Sequence, residues 1–363
     1  MNRSIWRWSD GIEAPPPAAR ITLGEGDTPV VRSRRLGPAC GLDHLYFKLE
    51  LCNPTGSYKD RFAFCAISHM LAAGKDRCIA TTSGNTGSSL AAYCAAAGLK
   101  CFIAVVETAP LGKLQQMLSY GANIFRVRQF GIDPRISRGT FEVLVELGAR
   151  SDIALQISAF KFSPLGMSGV RTLAFELADQ FPSPIDHVFT QAGGGGLTWA
   201  VAQGFEWLRA AGRIRNTPRV ECVQPSGNNT IAGPLREGLD RGQDVVCSSR
   251  ISGLQVANVI DGHDAIRACR ASGGTGHLVD DDYVWEIQRR LAREEGIFCE
   301  PAGAVAVAGA IQAARQGRIA REAVTVALVT GSGFKDPPSV ERMIADRDCP
   351  LIELEELGDR MSR

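Results

Sequence analysis

Between residues 78 and 127 the chain alternates short apolar runs with longer stretches of helical period: "CIATT", "SGNTGSSLAAYCAAAGL", "KCFIAVV", "LGKLQQMLSYGA" and "NIFRV". Apolar runs this short, with no polar alternation, read as strands buried on both faces, and the segments between them read as helices, the second closed by Gly121. This β-α-β-α-β order predicts an α/β protein with mostly parallel sheets. The same order returns in "HVFTQAGGGGLTWAVAQGFEWLRAAG", a strand, a glycine turn and a helix, and is followed by "VECVQP" and "AVTVALVTGSG". "HLYFKLEL" reads as a strand that ends just before "NPTGSYKDRFA", itself a turn running into a helix start. "FPSPID" and "RGQDVVCSSRISG" read as surface loops, and the terminal "LIELEELGDRMSR" as a solvated tail or a contact for a neighbouring subunit.

At 363 residues the chain is long enough for two domains, and no segment repeats with a fixed period. With 22% charged residues and a net charge of +1, nothing points to nucleic acid or an acidic membrane. No run is long and apolar enough to predict a membrane span or an export leader. Eleven cysteines, with no CxxC pair and no metal-type spacing, predict reduced thiols in a cytoplasmic protein. Five histidines show no HExxH, and neither a GxSxG elbow nor a GxxxxGK[ST] loop is present. His263 and His277 read as structural or surface residues.

Three stretches remain. In "TQAGGGGLTW" the four glycines Gly193, Gly194, Gly195 and Gly196 stand between a strand and a helix. Lacking Cβ atoms, they can aim successive N–H groups at one anion, with the helix dipole behind them, and so read as a phosphate cradle. The GxGxxG spacing of a dinucleotide site is missing. "TTSGNTGSS", residues 81 to 89, is a second strand-to-helix turn whose N–H groups, with the hydroxyls of Ser83 and Thr86, suit a carboxylate. Lys59 lies behind Pro54, Gly56 and Ser57. A lysine near two anion cradles is either a counter-ion or, partly buried and able to shed its charge, a Schiff-base nucleophile.

From "LGEGDTPV" to "TGSGFKD", these motifs together resemble the fold type II pyridoxal-phosphate enzymes, on the threonine synthase and threonine dehydratase branch. The resemblance implies a two-lobed, tryptophan synthase β-like fold and pyridoxal 5′-phosphate as cofactor. It implies that Lys59 holds the cofactor as an imine and that Asn85 hydrogen-bonds its 3′-oxygen. Ser83, Gly84 and Thr86 would hold the substrate α-carboxylate, Gly193 to Gly196 the cofactor phosphate, and Thr330 would face the pyridine nitrogen. A neutral hydroxyl there leaves the ring nitrogen largely unprotonated, which favours elimination and replacement over transamination. Lys59, once displaced by the substrate amine, is the natural base for the α-proton. A homodimer is implied as well. In "EPAGAVAVAGA" a close-packing helix is expected, with no catalytic role for Glu300.

The resemblance is mixed. "NPTGSYKDR", "PLGKLQQMLSYGA" and "TGSGFKD" look like threonine synthase, whereas "GGGGL" and "EPAGA" look more like the dehydratases. Threonine synthases carry N-P-x-R-L-x-G-Q-K-T, whose Asn and Arg help hold the substrate phosphate; here "SPLGMSGVRT" puts Ser163 and Gly166 at those places. Lys161, Lys113 or Arg171 are the cations left to compensate. The expected activity is elimination and replacement on a small L-amino acid with a β- or γ-leaving group. The alternatives are an ammonia-lyase releasing a 2-oxoacid, a β-replacement synthase of the cysteine or cysteate synthase type, and a non-enzymatic sensor. The expected domains are a large cofactor-binding one, residues 1–70 and 165–363, and a small substrate-closing one, residues 71–164.

Overall fold

The computed structural model describes residues 4–82, 84–109 and 111–362. Its strands are β1 (Val30–Arg32), β2 (Leu45–Lys48), β3 (Arg77–Thr81), β4 (Lys100–Val106), β5 (Asn123–Val127), β6 (Ile153–Leu155), β7 (His187–Gln191), β8 (Arg219–Pro225), β9 (Gly276–Val279) and β10 (Thr325–Leu328). They form a six-stranded sheet, ordered β1-β2-β10-β7-β8-β9, and a four-stranded one, ordered β5-β4-β3-β6. Every pairing is parallel except that of the edge strand β1 with β2. The runs read as strands from sequence all lie in these sheets, whereas β1, β6 and β9 are short and stand in no longer apolar run.

Burial follows from position in the sheet. Every residue of β7 and β10 is buried, because helices cover both faces of a parallel sheet. The small-residue helix Pro301–Arg315 packs as its composition predicts: a Cβ on Gly309 would lie 2.6 Å from Val223 Cγ2, so glycine alone lets this helix approach β8 so closely. One continuous apolar core joins the two sheets, running from Cys78, Ala80 and Ile103 through Phe62, Phe64 and Leu173 to Val188 and Val326.

The cysteines differ from their sequence reading. The register sets Cys78 of β3 opposite Cys101 of β4, and with Cys94 from helix Asn85–Ala97 their sulfurs lie within 4.8 Å of one another. The three are buried. The loop 241–253 is also less superficial than its composition suggests, since Ser249 and Ile251 are buried.

Candidate active site

Lys59 immediately precedes helix Asp60–Ala72. The turn before it closes through Gly56 N–H to Asn53 O at 2.8 Å, and Gly56 has φ +86°, a conformation that favours glycine. The motif then docks on the far end of the chain: Tyr58 N–H donates to Thr330 O at 3.0 Å, and Ser332 N–H to Gly56 O at 2.9 Å. These bonds fix Lys59 relative to Thr330. The Lys59 Nζ donates to Ser158 Oγ at 2.8 Å.

Two helix starts face the same space. Helix Gly196–Ala210 has Gly195 at its N-cap, at φ +98° and with no side-chain capping bond. The N–H groups of Gly193 to Gly196 meet no protein acceptor among the described residues. A Cβ on Gly195 would lie 3.1 Å from both the Asp261 carbonyl carbon and Ile231 Cδ1, so the cradle leaves little room for a side chain at this position. Asp261 ties it to the Ser158 segment: its N–H donates to Gly194 O at 2.9 Å, and its carboxylate accepts from Phe160 N–H at 2.8 Å and Lys161 N–H at 3.1 Å. Burial pushes this carboxyl up, and the two N–H donors oppose that rise. Helix Asn85–Ala97 likewise starts behind Gly84 with no side-chain cap. Each start presents unpaired N–H donors and the positive end of a dipole.

These groups line one cavity of about 500 Å³. Lys59, Gly84, Asn85, Thr86, Gly193 to Gly196 and Thr330 all border it; Ser83 lies outside the described residues. The cavity sits beyond the carboxyl ends of β3, β7 and β10, where α/β sheets place ligands. Asn85 Nδ2 donates to Glu300 Oε1 at 2.7 Å, and Glu300, given no catalytic role from sequence, borders the cavity. Thr330 Oγ1 accepts from Gln191 Nε2. Lys335, a second lysine in the lining, donates to Gln116 Oε1 at 2.5 Å, and burial lowers its pKa.

A family model described as pyridoxal-phosphate dependent enzyme matches residues 21–331. The chain belongs to this family. It is 31% identical over 344 residues to the threonine synthase of Methanocaldococcus jannaschii, covering 93% of this chain and 82% of that one. To the threonine synthase of Synechocystis sp. it is 32% identical over 343 residues, covering 92% and 85%. Among solved structures, O-ureido-L-serine synthase superposes with a TM-score of 0.68 at 26% identity, covering 90% of this chain and 95% of that one. The processed form of threonine deaminase isoform 2 from Solanum lycopersicum gives 0.74 at 20% identity, covering 95% and 94%, a likeness of fold. The protein is thus a pyridoxal-phosphate-dependent enzyme of fold type II, on the threonine-synthase-like branch.

The cavity fits that cofactor. It offers an amine on Lys59, a side-chain-free row of N–H donors for a phosphate, and a hydroxyl on Thr330. The arginine that the resemblance to threonine synthases implies at position 166 has no room there. A Cβ on Gly166 would already lie 2.7 Å from Phe62 Cε2 and 2.8 Å from Ala66 Cβ, and Ser163 Oγ is engaged by Ile157 N–H at 3.0 Å. Two of the three expected substitutes are engaged elsewhere. Arg171 donates to Gln203 at 2.9 Å, Lys161 Nζ lies over the Phe162 ring, and the Lys113 side chain lies outside the described part. Sequence reasoning missed Gln191, Ser158, Gln116 and Lys335. Gln191, Gln116 and Lys335 each stood in a quoted motif, "TQAGGGGLTW", "LGKLQQMLSYGA" and "TGSGFKD", but nothing local marked them as site residues, and Ser158 stood in none.

Proposed function

We propose that this enzyme performs elimination and replacement on a small L-amino acid carrying a leaving group at its β or γ carbon. The observation that carries the reading is the placement of Lys59 in one cavity with two uncapped helix starts. When bound, the cofactor supplies an electron sink for the substrate's α-carbon. The chain's own residues do the rest. Gly193 to Gly196 hold the phosphate through backbone N–H groups, and Asn85 positions the ring's 3′-oxygen. The helix start at Gly84 to Thr86, with Ser83, receives the α-carboxylate. Lys59 Nζ holds the cofactor between turnovers and, when free, takes the α-proton and returns it. Ser158 Oγ, which accepts from that amine, orients it.

The four-stranded sheet, built from residues 77 to 155, supports a small lobe, 71–164, that closes on substrate over a large lobe made of 1–70 and 165–363. Ligand-free and ligand-bound structures with no relative movement of the lobes would refute closure. We also place the enzyme in the cytoplasm as a homodimer; a sedimentation mass of one chain would refute the dimer. The eleven free thiols support a reducing compartment.

The test is the visible absorbance of the protein with pyridoxal phosphate, before and after O-phosphohomoserine, O-phosphoserine, O-acetylserine, serine and threonine. A Lys59→Ala variant serves as control. The expected result is a band that requires Lys59 and changes with one substrate; no band would refute the reading. The packing at Gly166 favours a second reading, an ammonia-lyase acting on substrates without a phosphate. Release of a 2-oxoacid from serine or threonine, with no second substrate, decides for it.

A further inference from the structure

Gln191 is the last residue of β7, directly ahead of the glycine loop. It is buried at 3% exposure and lines the cavity. Its Nε2 serves two acceptors, the Ala302 carbonyl oxygen at 3.0 Å and Thr330 Oγ1. A primary amide nitrogen carries two hydrogens and no acceptor capacity. A carbonyl oxygen can only accept, so Ala302 fixes the amide's orientation; turned over, the side chain would set oxygen against oxygen. One hydrogen goes to Ala302, and the other must go to Thr330.

That count determines where the hydroxyl's proton points. A threonine hydroxyl has a single hydrogen. Having accepted from Gln191, Thr330 keeps that hydrogen for another acceptor, and among the described residues it meets none. The opposite amide atom, Gln191 Oε1, is buried with no partner among the described residues. A residue present only to fill space would not carry an unmet buried acceptor; methionine or leucine would pack there without it. The side chain accepts that cost to keep its nitrogen on Ala302 and Thr330.

We propose that Gln191 is a positioning residue acting through Thr330: by donating to Thr330 Oγ1 it commits that hydroxyl to donate into the cavity. This rests on the reading that Thr330 faces the cofactor's ring nitrogen. A nitrogen that receives a hydrogen bond must offer its lone pair and so carries no proton. When bound, such a ring would supply a weaker electron sink than a pyridinium, which favours elimination and replacement over transamination. Gln191 sets this bias without touching the ring.

The test uses pyridoxal phosphate labelled with ¹⁵N in the ring, loaded into wild type, Gln191→Glu and Gln191→Met, with the ring-nitrogen resonance followed from pH 6 to 9. Free cofactor supplies the protonated and unprotonated references. Wild type should stay at the unprotonated position throughout. In Gln191→Glu the carboxylate accepts the Thr330 hydrogen, the hydroxyl turns its lone pair to the ring, and the resonance should move most of the way to the protonated reference. Gln191→Met keeps the volume, avoids setting a carboxylate against Ala302, and frees the hydroxyl to rotate, so its ring nitrogen should titrate at higher pH than in wild type. A protonated ring in wild type overturns the inference, as does an unchanged resonance in a variant whose visible band shows the cofactor bound. No Lys59-dependent band in wild type overturns the functional reading itself and the inference with it; the two failures are told apart by that band.

Discussion

Arg61, two positions beyond Lys59, anchors the start of the helix that the lysine precedes. Its guanidinium donates to Glu50 at 2.7 and 2.8 Å and to Glu176 at 2.9 and 2.7 Å, and Lys48 Nζ adds a bond to Glu176 at 2.9 Å. All four side chains are at most 1% exposed. Burial pushes the Glu176 carboxyl up, yet Arg61 and Lys48 hold it well below the usual carboxylate range. Arg61→Met leaves two buried carboxylates to share Lys48, and chemical denaturation should show a loss of about 3–5 kcal/mol. A second buried carboxylate gives a pH prediction. Glu221 accepts from His187 Nδ1 at 2.8 Å and lies 3.1 Å from His277 Nε2. Burial raises its pKa, but these bonds outweigh burial and bring it down to about 2. A depressed pKa stabilises the folded state above the unfolded value near 4.3, and the benefit is lost as pH falls towards 2. Melting temperatures should therefore drop over that window, by the equivalent of about 3 kcal/mol, and Glu221→Gln should flatten the slope.

At the scale of elements, the glycine loop between β7 and its helix separates conformation from mere space. Gly195 combines φ +98° with neighbours at 3.1 Å. Gly195→Ala is expected to lower stability by about 1–2 kcal/mol and to weaken cofactor binding about tenfold or more, read by melting and by cofactor titration. Gly84, with open space at its Cβ position and no positive φ, should tolerate alanine with its melting temperature unchanged. The strands and turns of this region were legible because burial on both faces removes polar alternation and because glycine and serine punctuate each helix start. β1, β6 and β9 were not. They are three or four residues long and, unlike β2 and β10, stand in no longer apolar run, so what makes them strands is the neighbour each pairs with. The site divides in the same way. Lys59, Asn85 and the glycines sit in local motifs, whereas Gln191, Ser158 and Glu300 acquire meaning only through contacts such as Asn85 to Glu300, 215 positions apart.

Across the whole molecule, the cavity draws on the ends of both sheets, so whatever fills it joins them. A ligand bound only by the folded chain stabilises it by about 2.7 kcal/mol at one hundred times its dissociation constant. Pyridoxal phosphate should therefore raise the melting temperature as its concentration rises. Lys59→Ala, which keeps the phosphate cradle, should show a smaller but nonzero rise, and equal shifts in both proteins would remove the lysine from the binding site. The packing at Gly166 also bears on how this sequence can change over generations. With Phe62 and Ala66 already within 2.8 Å of where its Cβ would stand, an arginine at this position breaks the core in the same step that installs it, so any route to a cationic clamp there runs through less stable intermediates. Selection acting one substitution at a time would leave this protein on its own side of that divide.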